Sequence, residues 1–314
     1  CALPISIASA ALGTLPIGVP KLLVSTVLAG NVAPYAGITD VMMMPSVADI
    51  AGLNRLSRPI LANAAGAIAG AVEAARAFAE APPAADRPLI GASMFGNTTR
   101  LVEQSRVRLE AAGFEVVTFH AVGSGGRTLE RLAADGILAG TFDVTTTEWA
   151  DELCEGVFSA GPERLDAAGA RGLPQVIAPG CLDMANFGAM ETVPARFRDD
   201  PSRKFYVWNP QVTLMRTTPE ENATLGRILA EKANASRGPV EVFFPLRGVS
   251  ILDSVTVDGP QPFWWPEADA ALLDALRTHL RPGIPLHEVD ANVNDDAFVA
   301  ATTEAMIRLM ASMR

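Results

Sequence analysis

Short apolar runs alternate with helical patterns along most of this chain, and that alternation restricts the folds open to it. PLIGASMF (88–95), FEVVTFHA (114–121), GILAGTFDVTT (136–146), PQVIAPG (174–180), KFYVWN (204–209), PVEVFFPL (239–246) and IPLHEVD (284–290) have the length and apolar content of buried strands. Helical spacing fills the gaps at 98–112, in TLERLAADG, at 148–155, 162–170, 266–280 and 295–313. TTPEEN opens a further helix, with Thr218 as N-cap, Pro219 at the first helical position and Glu221 three residues after the cap. Strands separated by helices predict an α/β fold, with a mainly parallel sheet covered on both faces.

The first eighty residues follow the same logic. KLLVSTV (21–27) and VMMMPS (41–46) read as strands, LAGNVAPYAGITD as a loop and Leu53 to Glu80 as a helix. APPAADRP (81–88) carries three prolines and no periodicity, the signature of a linker. Two domains are expected, residues 1–83 and 84–314.

Bulk chemistry narrows the function. The formal net charge is -10 and no Lys/Arg cluster occurs, which argues against nucleic acid and against anionic membrane as partners. LANAAGAIAGAV (61–72) is too short and too rich in Ala and Gly to span a bilayer. Cys1, Cys154 and Cys181 are odd in number and far apart, so neither a zinc site nor a disulfide framework is expected and a reducing cytoplasm fits. No charged segment with a cleavage site opens the chain, and a start at Cys1 reads as a fragment.

Ligands of open parallel sheets sit beyond the C-terminal ends of the strands. The polar residues there are Ser93, Asn97, His120, Ser124 to Arg127, Thr145 to Glu148, Cys181, Asp183, Asn186, Asn209, Gln211, Arg247, Ser250, Asp290 and Asn292. Among them HAVGSGGRT stands out. Gly125 and Gly126 would let backbone N–H groups approach an anion, with Arg127 adding a charge-assisted contact, or the segment is only a tight strand-to-helix turn. His120 is a candidate acid–base group or a hydrogen-bonded strand end. Asp183 is a candidate base or metal-nucleotide ligand, or a helix cap. Arg216 and Arg247 suit a carboxylate or phosphate clamp, or an ion pair. Cys181 with His120 would make a thiol hydrolase only if the two meet. TTTEWADE (145–152) reads as polar capping of the following helix. His279 and His287 read as structural, and no metal site is expected.

Several stretches, in order, carry a resemblance: GVPKLLVSTVLAGNVAPYAGITDVMMMPSVADIAGLNRLSRPILANAAGAIAGAV, DVTTTEWADEL, PQVIAPGCLDMANFG, NPQVTLMRTTPEEN and PLRGVSILD. Together they resemble the Tm-one-like ATP-binding family, which includes tomato mosaic virus resistance proteins. The likeness implies two Rossmann-like α/β subdomains with a cleft between them, ATP with Mg as ligand, and a homodimer. CALPIS (1–6) does not fit the family pattern, so an N-terminal truncation is expected, with the first subdomain incomplete. Ser25, Thr26, Gly30 and Asn31 are the remaining candidates for the nucleotide, or they form a packing loop. A second, acidic ligand would use His120, Gly125, Gly126, Arg127, Asp183 and Arg247. By analogy with a helicase-inhibiting plant member, the alternative is a protein-interaction module in which ATP acts at an interface. No turnover reaction is implied.

Overall fold

A computed structural model of the chain describes residues 2–80 and 87–313. Two compact units divide it, residues 1–86 and 87–314. The expected boundary after residue 83 lies outside the described residues.

The first unit runs through α1 (Ala2–Gly13), β1 (Leu22–Ser25), α2 (Ala33–Ala36), β2 (Met42–Pro45) and α3 (Ser57–Glu80). The two strands pair in parallel, from Leu22 opposite Met42 to Ser25 opposite Pro45. Ile5, Leu23 and Leu28 form a small core against Tyr35, Val41 and Met43. Helix α1 goes beyond the sequence reading, because its Ala-rich residues offer no polar face to mark a helical period. Helix α3 begins at Ser57 rather than Leu53. Asn54 Oδ1 accepts the N–H groups of Leu56 and Ser57, both at 2.9 Å, and this turn sets the helix start.

The second unit opens with β3 (Leu89–Met94), α4 (Thr99–Ala111), β4 (Glu115–His120), α5 (Ser124–Ala134) and β5 (Gly140–Thr145). It continues with α6 (Glu148–Cys154), α7 (Ala167–Arg171), β6 (Gln175–Gly180), β7 (Met184–Phe187) and α8 (Ala195–Arg198). Then come β8 (Phe205–Asn209), β9 (Val212–Arg216), α9 (Pro219–Asn234), β10 (Val240–Pro245), β11 (Val255–Thr256) and β12 (Gly259–Pro260). The chain closes with α10 (Pro266–His279), β13 (Leu286–Val289) and α11 (Asp296–Ala311). Six strands form one sheet in the order β13-β10-β6-β5-β3-β4, and all its pairings are parallel.

Alternate side chains of the strands feed two cores. Val176, Ala178 and Phe243 face α4 and α11 with Leu101, Phe298 and Met306. Ile177, Val242 and Phe244 face α6, α9 and α10 with Trp149, Leu225 and Leu272. The period of two along β6 and β10 is thus the physical basis of a sheet covered on both sides. The capping box is as the sequence reads: Thr218 Oγ1 accepts from Glu221 N at 3.3 Å, and Glu221 Oε2 accepts from Thr218 N at 2.9 Å.

Sequence periodicity does not reveal the second sheet, β7-β9-β8, which is antiparallel. KFYVWN is a strand, but it belongs here and not to the parallel sheet. Its hairpin to β9 turns at Pro210 and Gln211. PGCLDMANFG bends at Cys181 and becomes β7 at Met184. The expected helix 162–170 is reduced to α7.

Candidate functional site

The chain enters the large sheet at β3, steps outward to β4, then returns past its start to β5. Such a reversal leaves a crevice at the C-terminal strand ends. Here the hydroxyls of Thr98 and Thr145 bond across it at 2.8 Å, so the gap between β3 and β5 is closed. Open space lies beside it, at the ends of β3 and β4, as a pocket of about 250 Å³. Phe95, Gly96 and Asn97 supply one wall, His120 and Val122 another, and Phe158 a third. The β8–β9 hairpin adds Trp208, Asn209, Val212 and Leu214. Aromatic rings dominate: Phe95 lies 5.5 Å from His120 and 6.2 Å from Phe158, centroid to centroid. No lysine or arginine stands among these lining residues.

Buried polar groups hold the walls. Asp151 Oδ1 accepts the N–H of Phe158 at 3.2 Å and of Asn186 at 3.0 Å, while its Oδ2 accepts from Asn186 Nδ2 at 2.7 Å. Burial pushes the Asp151 carboxyl up to about 7. Asn97 is buried and gives its amide N–H to the sulfur of Met184 at 3.5 Å. His120 is exposed, and its ring makes no hydrogen bond to another described residue.

The glycine turn is an anion cradle, but a side chain of the protein fills it. Gly125 and Gly126 lie inside the first turn of α5 rather than in a loop. Glu148 Oε1 accepts the N–H groups of Gly123 at 2.7 Å and Gly126 at 3.0 Å. A Cβ at Gly125 would fall 1.9 Å from the carbonyl oxygen of His120, and one at Gly126 would fall 2.1 Å from Glu148 Oε2. Glu148 is in turn bonded by Arg164 Nε at 2.7 Å, and Arg164 forks onto Asp143 with both contacts at 2.6 Å. Burial opposes the Arg164 charge, and Asp143, Glu148 and Glu130 outweigh it. Arg127 donates to the carbonyl oxygen of Ser159 at 3.0 Å. Where an external anion was expected on Gly125, Gly126 and Arg127, the Gly126 N–H is taken by Glu148 and the Arg127 guanidinium by Ser159.

Asp183 lies at the heart of a second buried network. Its Oδ2 accepts from Ser250 Oγ at 2.7 Å. Arg216 Nη2 donates to Asp269 at 2.7 Å and stands 3.7 Å from Asp253. One guanidinium thus faces more carboxyl groups than it can neutralise. Burial, then the charge of Asp253, push Asp183 up to about 7 and Asp269 up to about 8. Asp183 is fully buried, and its described side-chain hydrogen bond comes from Ser250 rather than from the amide of a helix start.

The other candidates are dispersed. Arg247 forms an exposed two-pronged pair with Asp290 at 2.7 and 2.8 Å and lines a different pocket, with Trp264 and Asn292. Asn292 Nδ2 pins the adjoining loop by donating to the carbonyls of Arg247, Gly248 and Ser250, each at 3.1 Å. Cys181 is buried at φ 60°, and burial beside Asp183 pushes its thiol up, so a Cys181–His120 nucleophile is not assembled. Thr147 occupies the N-cap of α6, yet its hydroxyl goes to the carbonyl of Met184 at 3.2 Å. The expected capping role is overridden by a bond between elements.

In the first unit, Ser25, Thr26, Gly30 and Asn31 follow the C-terminal end of β1. Ser25 Oγ accepts from Val27 N at 3.3 Å, Thr26 Oγ1 donates to Asp49 at 3.2 Å, and Gly30 N donates to the Val27 carbonyl at 3.2 Å.

Of the residues chosen for a second ligand, the pocket takes His120 alone. Phe95, Phe158 and Trp208 were missed because polar strand-end reasoning passes over aromatic walls. Asn209-Pro210 is a turn signal, and reading it as one exposes the hairpin that brings Trp208 in.

A doubly wound parallel sheet with a pocket at its C-terminal strand ends defines a Rossmann-like α/β protein. The chain belongs to the uncharacterised protein family UPF0261: residues 4–77 match its N-terminal domain and residues 87–310 its C-terminal domain. The match to the N-terminal domain leaves the expected truncation of that domain without support. A UPF0261 protein of Clostridium tetani is 45% identical over 307 residues, covering 97% of this chain and 73% of that protein. One from Rhizobium meliloti is also 45% identical, over 96% of this chain and 73% of its own length. The ToMV resistance protein Tm-1(GCR237) of Solanum lycopersicum is 37% identical over 98% of this chain, which spans 40% of that plant protein.

Proposed function

We propose that this protein binds small molecules, and that its C-terminal unit takes a compact, mostly apolar ligand in the pocket beside the β3–β5 reversal. The observation that carries this reading is the pocket itself: aromatic walls from three separate segments converge at the strand ends. Trp208 is about half exposed there and reports on occupancy. Titration of small aromatic compounds should change its fluorescence, with a Trp208→Phe variant as the control for the other tryptophans. A panel that leaves the signal flat sinks the reading.

The family likeness adds ATP with Mg as a proposed ligand of the N-terminal unit. Ser25, Thr26, Gly30 and Asn31 sit where parallel strands present ligands, after β1. Calorimetric titration of Mg-ATP into the wild-type chain and into Ser25→Ala and Thr26→Ala variants tests this. Equal affinity in all of them would remove these residues from the site.

A second reading is contact with another protein, including a homodimer. It rests on side chains that the first unit leaves exposed: Val47 at 71%, Leu53 at 67% and Phe78 at 85%. A concentration-independent monomer in sedimentation, with no partner recovered, would count against it. No helix among the described residues is long and apolar enough to cross a membrane, and a cytoplasmic location is proposed from the unpaired cysteines.

A further inference from the structure

We propose that the pocket beside the β3–β5 reversal recognises an aromatic carboxylate; the inference rests on the small-molecule reading of that pocket and names the class of ligand. Phe95, Phe158 and Trp208 offer ring faces and edges, against which a planar aromatic ring packs better than an aliphatic one. The polar groups sit together. Gly96 and Asn97 open the helical segment that continues as α4, and the first amides of a helix have no acceptor within it. They carry the positive end of its dipole. His120, at the adjacent strand end and lining the same pocket, has ring nitrogens that no other described residue engages. Donors from two neighbouring strand ends suit one carboxylate.

The same geometry selects against neighbouring classes. A phosphate monoester carries up to two negative charges, and no lysine or arginine lines the pocket to balance them. The cradle that could have taken a phosphate, at Gly123 and Gly126, is occupied by Glu148. Arg164, fully buried among Asp143, Glu148 and Glu130, supplies no free charge either. A neutral aromatic amide matches benzoate in shape but lacks the charge that strengthens each N–H contact.

The test compares probes on the whole chain: benzoate, benzamide, cyclohexanecarboxylate and phenyl phosphate, read by calorimetry and by Trp208 fluorescence. Benzoate should bind about tenfold more tightly than benzamide, the usual scale of one charge-assisted hydrogen bond. It should also exceed cyclohexanecarboxylate and phenyl phosphate. His120→Ala should erase most of the difference between benzoate and benzamide, read as the ratio of the two affinities in the same variant. His120 is exposed, so this variant keeps the fold, and the ligand series in the wild-type chain tests the idea without any substitution. Benzamide binding as tightly as benzoate, or a preference unchanged in His120→Ala, overturns the aromatic-acid assignment while the pocket stands as a binding site. Silence of Trp208 toward every probe overturns the assignment and the small-molecule reading together.

Discussion

The backbone N–H of Gly126 donates to Oε1 of Glu148 across 3.0 Å, and this contact joins the start of α5 to the start of α6. A helix N-terminus favours a negative partner, and here the partner comes from the next βα unit. Glu148→Ala would leave those amides and Arg164 without the carboxylate. We expect a loss of about 3–5 kcal/mol, the range for breaking a buried ion pair by removing one partner. Gly126→Ala should be damaging too, since its Cβ would meet a carboxylate that Arg164 holds in place. Urea denaturation checks both, and a wild-type midpoint for Glu148→Ala would show that the cradle is not structural.

The Arg216 network makes stability depend on pH. Asp183 keeps its proton up to about 7 and Asp269 up to about 8, whereas an unfolded aspartate loses it near 4. Between those limits the folded state holds more protons than the unfolded one. The contribution of these groups is therefore complete below about pH 4 and is lost as pH rises through about 7 and 8. Asp269→Asn keeps an acceptor for Arg216 and removes one titrating carboxyl. That variant should lose less stability than wild type between about pH 5 and 9, and be the more stable of the two at the upper end. Parallel pH profiles would refute the assignment.

Gly226 lies where helices α9 and α10 pack together. A Cβ there would fall 2.4 Å from the backbone oxygen of Leu272 and 2.8 Å from Cβ of Ala275. Gly226→Ala gains about 1 kcal/mol in helix propensity and costs about 1–3 kcal/mol in overpacking. Because the obstacle is backbone, the cost should win. The urea midpoint should fall with an unchanged slope.

Arg247→Ala separates the two pockets. Arg247 and Asp290 are exposed, and a surface pair contributes little. The variant should keep the wild-type thermal midpoint and the wild-type affinity for benzoate. Loss of benzoate binding would mean that the ligand reaches the pocket of Arg247, Trp264 and Asn292 instead.

Local rules explain how far the sequence could be read. Strand runs such as PVEVFFPL alternate Val242, Phe243 and Phe244 between two cores, so the period of two is written in the residues themselves. Thr218, Pro219 and Glu221 specify their helix start through neighbours three residues apart. Both signals act at short range, and both appear in the structure where the sequence places them.

Partners distant along the chain decided the rest. Of the two glycines singled out in the sequence, Gly126 meets a carboxylate, but only the folded sheet sets Glu148 beside it and beside Gly123, more than twenty residues away. His120 becomes a pocket residue because β4 ends next to Phe95 and because a hairpin almost ninety residues later contributes Trp208. Asp183 and Arg247, both polar and both near strand ends, part company, one into a buried network and the other to the surface. Residue type and spacing determined the α/β class and the capping box of α9, and marked the glycine turn as a candidate for an anion. Which anion fills that turn, and which strand end stays open, follow from side-chain contacts that exist only once the parallel sheet has formed.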